Sequence, residues 1–600
     1  MKNFIKKLLS LFSKDEKRKL IYVFFGVLIL GILELLGIGS IMPFLSVASN
    51  PEKVFENQYL RWAYETGGFE SVDTFLFVLG IGVVLFLVFS NGMKAFIYYI
   101  NVRYMTMRQY SISMRLFRNY LYKHYTFFLS VNSSELLKNI LGEVNILLNK
   151  ALMPLIELIT SIVVTALIVI MLIILDPMLA FLTMSVIGSV YGLIYITVKR
   201  RLNYLGERRL ETDRLRYKHV SEAFGGIKDV KLMRRENFYL DSFSPAALEN
   251  ARVWIQTNLI GALPRYALEV LAFGGLLLIV LYLMKTMGNF HEAVPIIGVY
   301  GFATYRLMPA LQNIFSDIAK LRSNSPVVEL IQGHLENWHE KEEDAKRLER
   351  NRIEVYFNEK INLKNISFHY PGSTKKVLRN QSCVISKNTT VGFIGPTGCG
   401  KTTIIDIILG LLNPIEGDFL VDDSLIVPEN LASWQTKLGY VPQHIYLADD
   451  SVEKNIAFGI PDNLIDNKAV IRAAKIANIH DFIEAEMPDG YATLVGERGV
   501  RLSGGQRQRI GIARALYSDP EVLVLDEATS ALDGLTEAVI MEAIHTLSHK
   551  KTIIMVAHRL STVKECDRIF AMDRGVIIDQ GTWKELIERN ERFRKLAELS

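Results

Sequence analysis

The sequence predicts a multidomain membrane protein: an all-α transmembrane domain of six spans, followed by an α/β P-loop domain that binds nucleotide. Three observations carry this. Long apolar runs crowd the chain ahead of Lys320, and no comparable run follows it. An almost wholly polar segment, His334–Arg352, closes that half. Beyond it, short β-rich runs such as IEVYF, NLKNISF and TVGFIG alternate with helical ones, the pattern of a largely parallel sheet.

The spans come first. Leu20 to Ser49 carries one charge, Glu34, while Thr74–Met93, Leu158–Leu175 and Pro177–Val198 carry none. A helix crosses a hydrocarbon core of ~30 Å with ~20 apolar residues, and each run reaches or approaches that. Val253–Met284 holds Arg265 and Glu269, and Ala293–Ala319 holds Arg306 and Asp317, so spans five and six are expected to turn their charges toward an interior. The expected spans are about 20–49, 74–101, 153–175, 177–198, 256–284 and 293–319, within a domain of 1–330. A linker of 331–352 and a nucleotide-binding domain of 353–600 complete the chain. The first run is too long for a cleaved leader, and no A-x-A site follows it.

Basic residues set the orientation. Lys2, Lys6, Lys7, Lys14, Lys17, Arg18 and Lys19 precede span one, Arg103 to Lys123 follows span two, and Lys199, Arg200 and Arg201 follow span four. The connector from Asn50 to Asp73 is acidic instead. Both termini are therefore expected in the cytoplasm. The cytoplasmic connectors, 102–152 and 199–255, are rich in helix formers and poor in Pro, Gly and Ser clusters. They read as helices continuing beyond the membrane and turning over at short transverse helices; a pair of small independent domains is the alternative.

Composition narrows the function. Of 600 residues 50% are hydrophobic and 22% charged, and the mean hydropathy is +0.21, which excludes disordered, collagen-like and coiled-coil classes. A net charge of +5 gives no global case for nucleic acid, and none is expected as a partner. Cys383, Cys399 and Cys566 form no C-x-x-C pair, so neither a zinc site nor a disulfide scaffold is indicated.

GPTGCGKT, Gly395–Thr402, fits G-x-x-x-x-G-K-[ST] between the strand TVGFIG and the helix TIIDIILGLL. Glycines at 395, 398 and 400 let backbone N–H groups face phosphates, helped by the positive end of the following helix. Lys401 is expected to reach the β- and γ-phosphates and the Thr402 hydroxyl to bind Mg²⁺; Thr397, Cys399 and Thr403 complete the cradle. VLVLDE, Val522–Glu527, is an apolar strand ending in two carboxylates. Asp526 is placed to hold Mg²⁺ and Glu527 to polarise or deprotonate the attacking water.

LSGGQ, Leu502–Gln506, resembles the signature of ATP-binding-cassette (ABC) ATPases, and the resemblance spans about 350–600. It implies ATP with Mg²⁺ as cofactors and ATP hydrolysis coupled to transport. It further implies that Tyr370 stacks on adenine and that Gln443 senses metal and water. Ser530–Asp533 would reach across a dimer, with His558 as switch histidine. Ser503, Gly504, Gly505 and Gln506 of a second copy would close the far side of the γ-phosphate. One cassette and six spans thus resemble half a transporter, expected to pair with a second copy of itself. Gly496–Gly499 resembles a loop of ABC exporters that touches the transverse helices.

In the membrane half, IMPF (Ile41–Phe44), SSELLKNILGEV (Ser133–Val144), LPRYALE (Leu263–Glu269) and YRLMPA (Tyr305–Ala310) resemble segments of the bacterial PglK-type flippases of lipid-linked oligosaccharides. That resemblance implies a polyprenyl-pyrophosphate glycan as substrate, moved to the outer leaflet of a bacterial inner membrane by a multi-pass protein. Arg265 and Arg306 match family arginines. Near Ser90 the family pattern implies another, and Lys94 follows one turn on. These three cations would meet the pyrophosphate, since guanidinium forks suit phosphate. The bland alternatives are an i,i+4 pair of Arg265 with Glu269 and snorkelling of Arg306. An external helix over 52–66 is implied as well, with Val54, Phe55, Tyr59, Leu60, Trp62 and Ala63 toward lipid; an ordinary packed loop is the alternative. Export of another lipid, of the lipid A type, or of drugs is the competing function.

Overall fold

Apolar runs give long helices here, and polar residues decide how far those helices continue. The computed structural model describes residues 2–175, 177–287, 290–336, 347, 353–528, 534–557, 560–591 and 593–594. Its contacts divide the chain into two units, Met1–Lys123 with Val131–Trp338, and His124–Ser130 with His339–Ser600.

The first unit is helical: α1 (Lys2–Ser10), α2 (Lys14–Ser49), α3 (Lys53–Glu56), α4 (Gln58–Thr66) and α5 (Val72–Leu121). The short α6 (Tyr125–Phe128) belongs to the second unit. Then come α7 (Ser133–Ile174), α8 (Pro177–Gly225), α9 (Ile227–Leu232), α10 (Glu236–Met287), α11 (Phe290–Ser323) and α12 (Ser325–Leu335). Among the described residues, Lys14–Gly37, Val72–Leu121 and Ser133–Ile174 are long and apolar enough to cross a membrane, by length and composition. With 50 residues, α5 extends about 75 Å at ~1.5 Å per residue, far more than a hydrocarbon core of ~30 Å requires.

The surplus length is held by buried polar networks. Ser13 caps α2 and receives the Glu16 N–H, while the Glu16 carboxylate accepts from the Ser13 N–H at 2.8 Å. The same buried carboxylate binds Arg108 Nη1 at 2.6 Å and Arg115 Nη2 at 2.8 Å, tying α2 to the polar end of α5. Farther along, buried Glu143 of α7 accepts from Arg209 Nη2 of α8 at 3.0 Å. Arg209 also pairs with Asp213 at 3.2 Å, which accepts from Asn250 Nδ2 of α10 at 2.9 Å. Charges buried this way persist only when each has partners, so the connectors hold as extensions of the long helices.

Between α2 and α5 the chain forms α3 and α4. Val54 is fully buried with Val47 and Phe75, and Leu60 and Ala63 pack on the same cluster. Phe55, Tyr59 and Trp62 point outward, the last two 82% and 68% exposed. The outward face is thus narrower than the sequence suggests: Val54, Leu60 and Ala63 turn to the protein because the start of α5 presents Phe75 to them.

The second unit contains an antiparallel sheet of β1 (Lys360–Phe368), β2 (Leu378–Ser386), β4 (Glu416–Val421) and β5 (Ser424–Leu425), ordered β2-β1-β4-β5. A six-stranded sheet joins β3 (Thr390–Ile394), β6 (Leu438–Val441), β7 (Val522–Asp526), β8 (Thr552–Val556), β9 (Arg568–Asp573) and β10 (Val576–Gly581) in the order β10-β9-β3-β8-β7-β6. Its pairings are parallel except β10 on β9. Strands β3, β7 and β8 are buried at every position, as expected of a parallel sheet covered on both faces.

Candidate active site

In an open parallel sheet, ligands sit beyond the carboxyl ends of the strands, and the predicted residues cluster there. β3 ends at Ile394, and Gly395–Gly400 leads into α13 (Lys401–Ile408). Gly395, Gly398 and Gly400 take φ of +149°, +78° and +105°. A Cβ on Gly395 would stand 2.2 Å from the Met572 carbonyl oxygen of β9. Gly395→Ala is therefore expected to cost about 1–3 kcal/mol and to abolish nucleotide binding, read by thermal melting and by binding of a fluorescent ATP analogue.

Lys401 is 5% exposed, and its ammonium donates to the Gly395 carbonyl at 2.7 Å and the Pro396 carbonyl at 3.3 Å. Thr397, Gly398 and Thr402 are exposed along the rim. Thr403 faces inward, its hydroxyl 3.1 Å from that of Tyr370, and the Tyr370 ring stands edge-on to Phe368 at 5.2 Å. Cys399 is buried, and burial holds its thiol above the usual range.

β7 delivers Asp526, buried, and then Glu527, half-buried. Glu527 adopts φ +50°, a strained region for a residue with a side chain. Its Oε2 accepts from Gln443 Nε2 at 2.7 Å, and Gln443 lies two residues past the end of β6. Asp406 of α13 is a site residue that sequence reasoning missed. Burial, and then the neighbouring Asp526 charge, push its carboxyl up to about 6. One charged residue in the apolar run TIIDIILGLL was the available signal. Within the same unit, Tyr125 of α6 has its hydroxyl raised by burial, with the Asp406 and Tyr370 charges adding to it. His558 and Ser530–Asp533 lie outside the described residues.

The LSGGQ segment starts α14 (Gly504–Leu516). Ser503 N–H donates to Gln506 Oε1 at 2.8 Å, and Gln506 N–H to the Ser503 hydroxyl at 3.2 Å, a reciprocal cap. Both polar side chains thus set the helix start, and Ser503 is exposed there, with Gly504 and Gly505 in the first turn. Gly496–Gly499 forms a tight turn with Glu497 and Arg498 exposed.

The Thr402 hydroxyl, the Asp526 carboxylate and the Gln443 amide oxygen are hard oxygen donors, the set that Mg²⁺ prefers. Among the described residues no group of three His, Cys, Asp or Glu side chains could hold a metal ion alone. The three oxygen donors fit a Mg²⁺ ion shared with nucleotide phosphates, which would supply charge neutralisation on the phosphate oxygens.

In the first unit, Lys94 Nζ of α5 lies 2.5 Å from Glu34 Oε1 of α2, and Arg306 Nη1 of α11 lies 3.7 Å from the same oxygen. The Arg306 guanidinium also stands 5.7 Å from the Phe302 ring centre. Arg265 is not part of this cluster; its Nε binds Glu269 Oε1 at 2.8 Å on its own helix, with the side chain 53% exposed. Leu35 and Leu36, next to Glu34, line an apolar pocket of about 590 Å³ with Phe86, Leu167 and Met171.

Residues 378–530 match the ABC transporter family, and residues 5–296 match the ABC transporter transmembrane region. The ATP-dependent lipid A-core flippase of Paraburkholderia xenovorans is 31% identical over 494 residues, covering 81% of this chain and 80% of that protein. The chain is an ABC transporter. The transporter is also similar to the heterocyst differentiation ATP-binding protein HepA of Nostoc, 34% identical over 382 residues, with 63% of this chain and 60% of that protein covered. A solved bacterial Atm1-family ABC exporter with ATP bound superposes with a TM-score of 0.76 at 22% identity, over 97% of this chain and 98% of that one. The transporter accordingly has the ABC exporter fold, a helical transmembrane domain followed by an α/β nucleotide-binding domain, and couples ATP hydrolysis to transport.

Proposed function

We propose that this transporter works as a homodimer that flips an anionic amphipath, a polyprenyl-pyrophosphate oligosaccharide, to the outer leaflet of a bacterial inner membrane, with both termini in the cytoplasm. The observation that carries the reading is the meeting of Lys94 and Arg306 on one carboxylate within otherwise apolar helices. Charged groups at such depth are expensive and mark a substrate path. The apolar pocket lined by Leu35 and Leu36, the chain neighbours of Glu34, suits a lipid tail. A second reading, a phosphorylated lipid of the lipid A type, is favoured by the name of the Paraburkholderia relative.

Within each nucleotide site, Tyr370 stacks on adenine and the loop Gly395–Thr403 cradles the phosphates, where Lys401 exchanges its loop carbonyls for phosphate oxygens. Thr402, Asp526 and Gln443 would hold Mg²⁺. Glu527 takes the proton of the attacking water, aimed by Gln443; the family resemblance makes His558 the switch histidine. Ser503, Gly504, Gly505 and Gln506 come from the second copy.

Reconstitution tests the substrate. The purified protein alone, in liposomes with labelled polyprenyl-pyrophosphate glycan, is expected to move label between leaflets only with ATP. ATP-dependent movement of lipid A-core but not of the glycan lipid transfers the conclusion to the second reading. Arg306→Ala is expected to slow flipping about tenfold, the loss of one charge-assisted contact, with a smaller effect on basal ATPase. Arg265→Ala, whose partner lies on its own helix, is expected to do much less.

A further inference from the structure

Glu34 is the one charge of the first span, and it sits where an anionic headgroup would have to bind. Its carboxylate holds Lys94 tightly at 2.5 Å and Arg306 loosely at 3.7 Å, beyond hydrogen-bond reach. Arg306 is correspondingly underused: its Nε is buried with no hydrogen-bond partner, although a guanidinium offers a fork suited to two oxygens of one anion. All three side chains are mostly covered, at 18–23% exposure, so water screens them poorly and each unit of charge weighs heavily. The cluster contains two cations and one anion, leaving a single net positive charge per protomer.

We propose that Glu34 is a built-in competitor for the substrate's pyrophosphate: it occupies Lys94 and Arg306 in the empty site, and the headgroup binds by displacing its carboxylate. The proposal rests on the anionic-amphipath reading above and adds the residue that sets selectivity at that site. A fixed internal anion rejects neutral and cationic amphipaths, which cannot replace it, and admits only ligands carrying more negative charge than one carboxylate. It also keeps two membrane cations satisfied between transport cycles.

The proposal predicts that anion affinity follows the net charge of the cluster and not the integrity of its ion pairs. The full chain and its variants are reconstituted in phosphatidylcholine vesicles containing a polyprenyl pyrophosphate, and ATPase stimulation is titrated. Parallel arms use the uncharged polyprenol, a cationic amphipath, and inorganic pyrophosphate in solution. Glu34→Gln is expected to lower the half-stimulating concentration about tenfold, within the usual range of coupling between groups in contact. Lys94→Gln leaves Arg306 neutralised by Glu34 and is expected to lose stimulation. Glu34→Gln combined with Lys94→Gln restores the original net charge and is expected to recover it.

Glu34→Gln is the variant that discriminates: a merely structural ion pair predicts impairment when one partner is removed and recovery when both are, whereas the competitor predicts a stronger response to the pyrophosphate. If Glu34→Gln is too unstable to purify, Glu34→Asp, whose shorter side chain loosens its hold on both cations, decides in its place: the competitor role predicts a lower half-stimulating concentration and a structural pair a higher one. A double variant as unresponsive as Lys94→Gln, or a Glu34→Gln variant with unchanged or weaker response, overturns the competitor role while the wild-type response keeps the anionic reading. A wild type that responds to polyprenol as strongly as to the pyrophosphate overturns both. The same ranking produced by inorganic pyrophosphate alone supports the competitor and assigns the ligand to a soluble anion.

Discussion

Glu527→Gln is expected to leave ATP binding intact and to lower steady-state hydrolysis by about 10²–10⁴-fold, the usual worth of a positioned general base. The substitution keeps shape and hydrogen bonding, since an amide oxygen can still accept from Gln443 Nε2, but it removes the group that takes the proton. Backbone geometry sharpens the expectation. At φ +50° the residue is held in a conformation that costs of order 1–3 kcal/mol and survives only where the surroundings enforce it. That turn swings the side chain out of the buried strand VLVLD and toward Gln443. Transport falls with hydrolysis, while labelled ATP is retained on the protein. Full steady-state turnover in this variant would remove Glu527 from the role of base.

The nucleotide site was readable because its chemistry is local. The phosphate loop needs a strand before it, glycines at left-handed positions and a helix after it, and all three lie within Thr390–Ile408. Asp526 and Glu527 were readable for a related reason, since they close and follow a buried strand, whereas Gln443 was implied only by the family resemblance. Residues whose roles come from distant neighbours were not. Glu34 was visible as an isolated charge, but its partners lie 60 and 272 positions away, by subtraction of 34 from Lys94 and Arg306. Asp406 was hidden in an apolar helix until the sheet brought Asp526 beside it. Helical period likewise marks α4 as amphipathic without saying which face the start of α5 will cover, and Leu60 and Ala63 fall on the covered side. The continuation past the apolar run, expected from the helix formers after residue 101, is present in α5, which runs to Leu121. What carries it on is Glu16, a residue of another helix, buried against Arg108 and Arg115.

The proposed pairing of two copies carries the second large effect. Lys401→Met removes the phosphate-loop ammonium, and Gly505→Asp places a carboxylate in the first turn of α14, where a neighbour's γ-phosphate would approach. Each variant alone is expected to lose hydrolysis by at least about 10²-fold, the scale of a lost charge stabiliser. In a head-to-tail sandwich every site combines one chain's loop with the other chain's signature. A mixed dimer of the two variants therefore has one site broken twice and one site wholly intact. One site of two is intact in every mixed dimer, so about half of wild-type activity is expected to return if the two sites act independently. The measurement is ATPase activity of doubly tagged, doubly purified mixed dimers against each variant alone. If each chain hydrolysed ATP with its own loop and its own signature, both partners in the mixed dimer would stay defective and no activity would return.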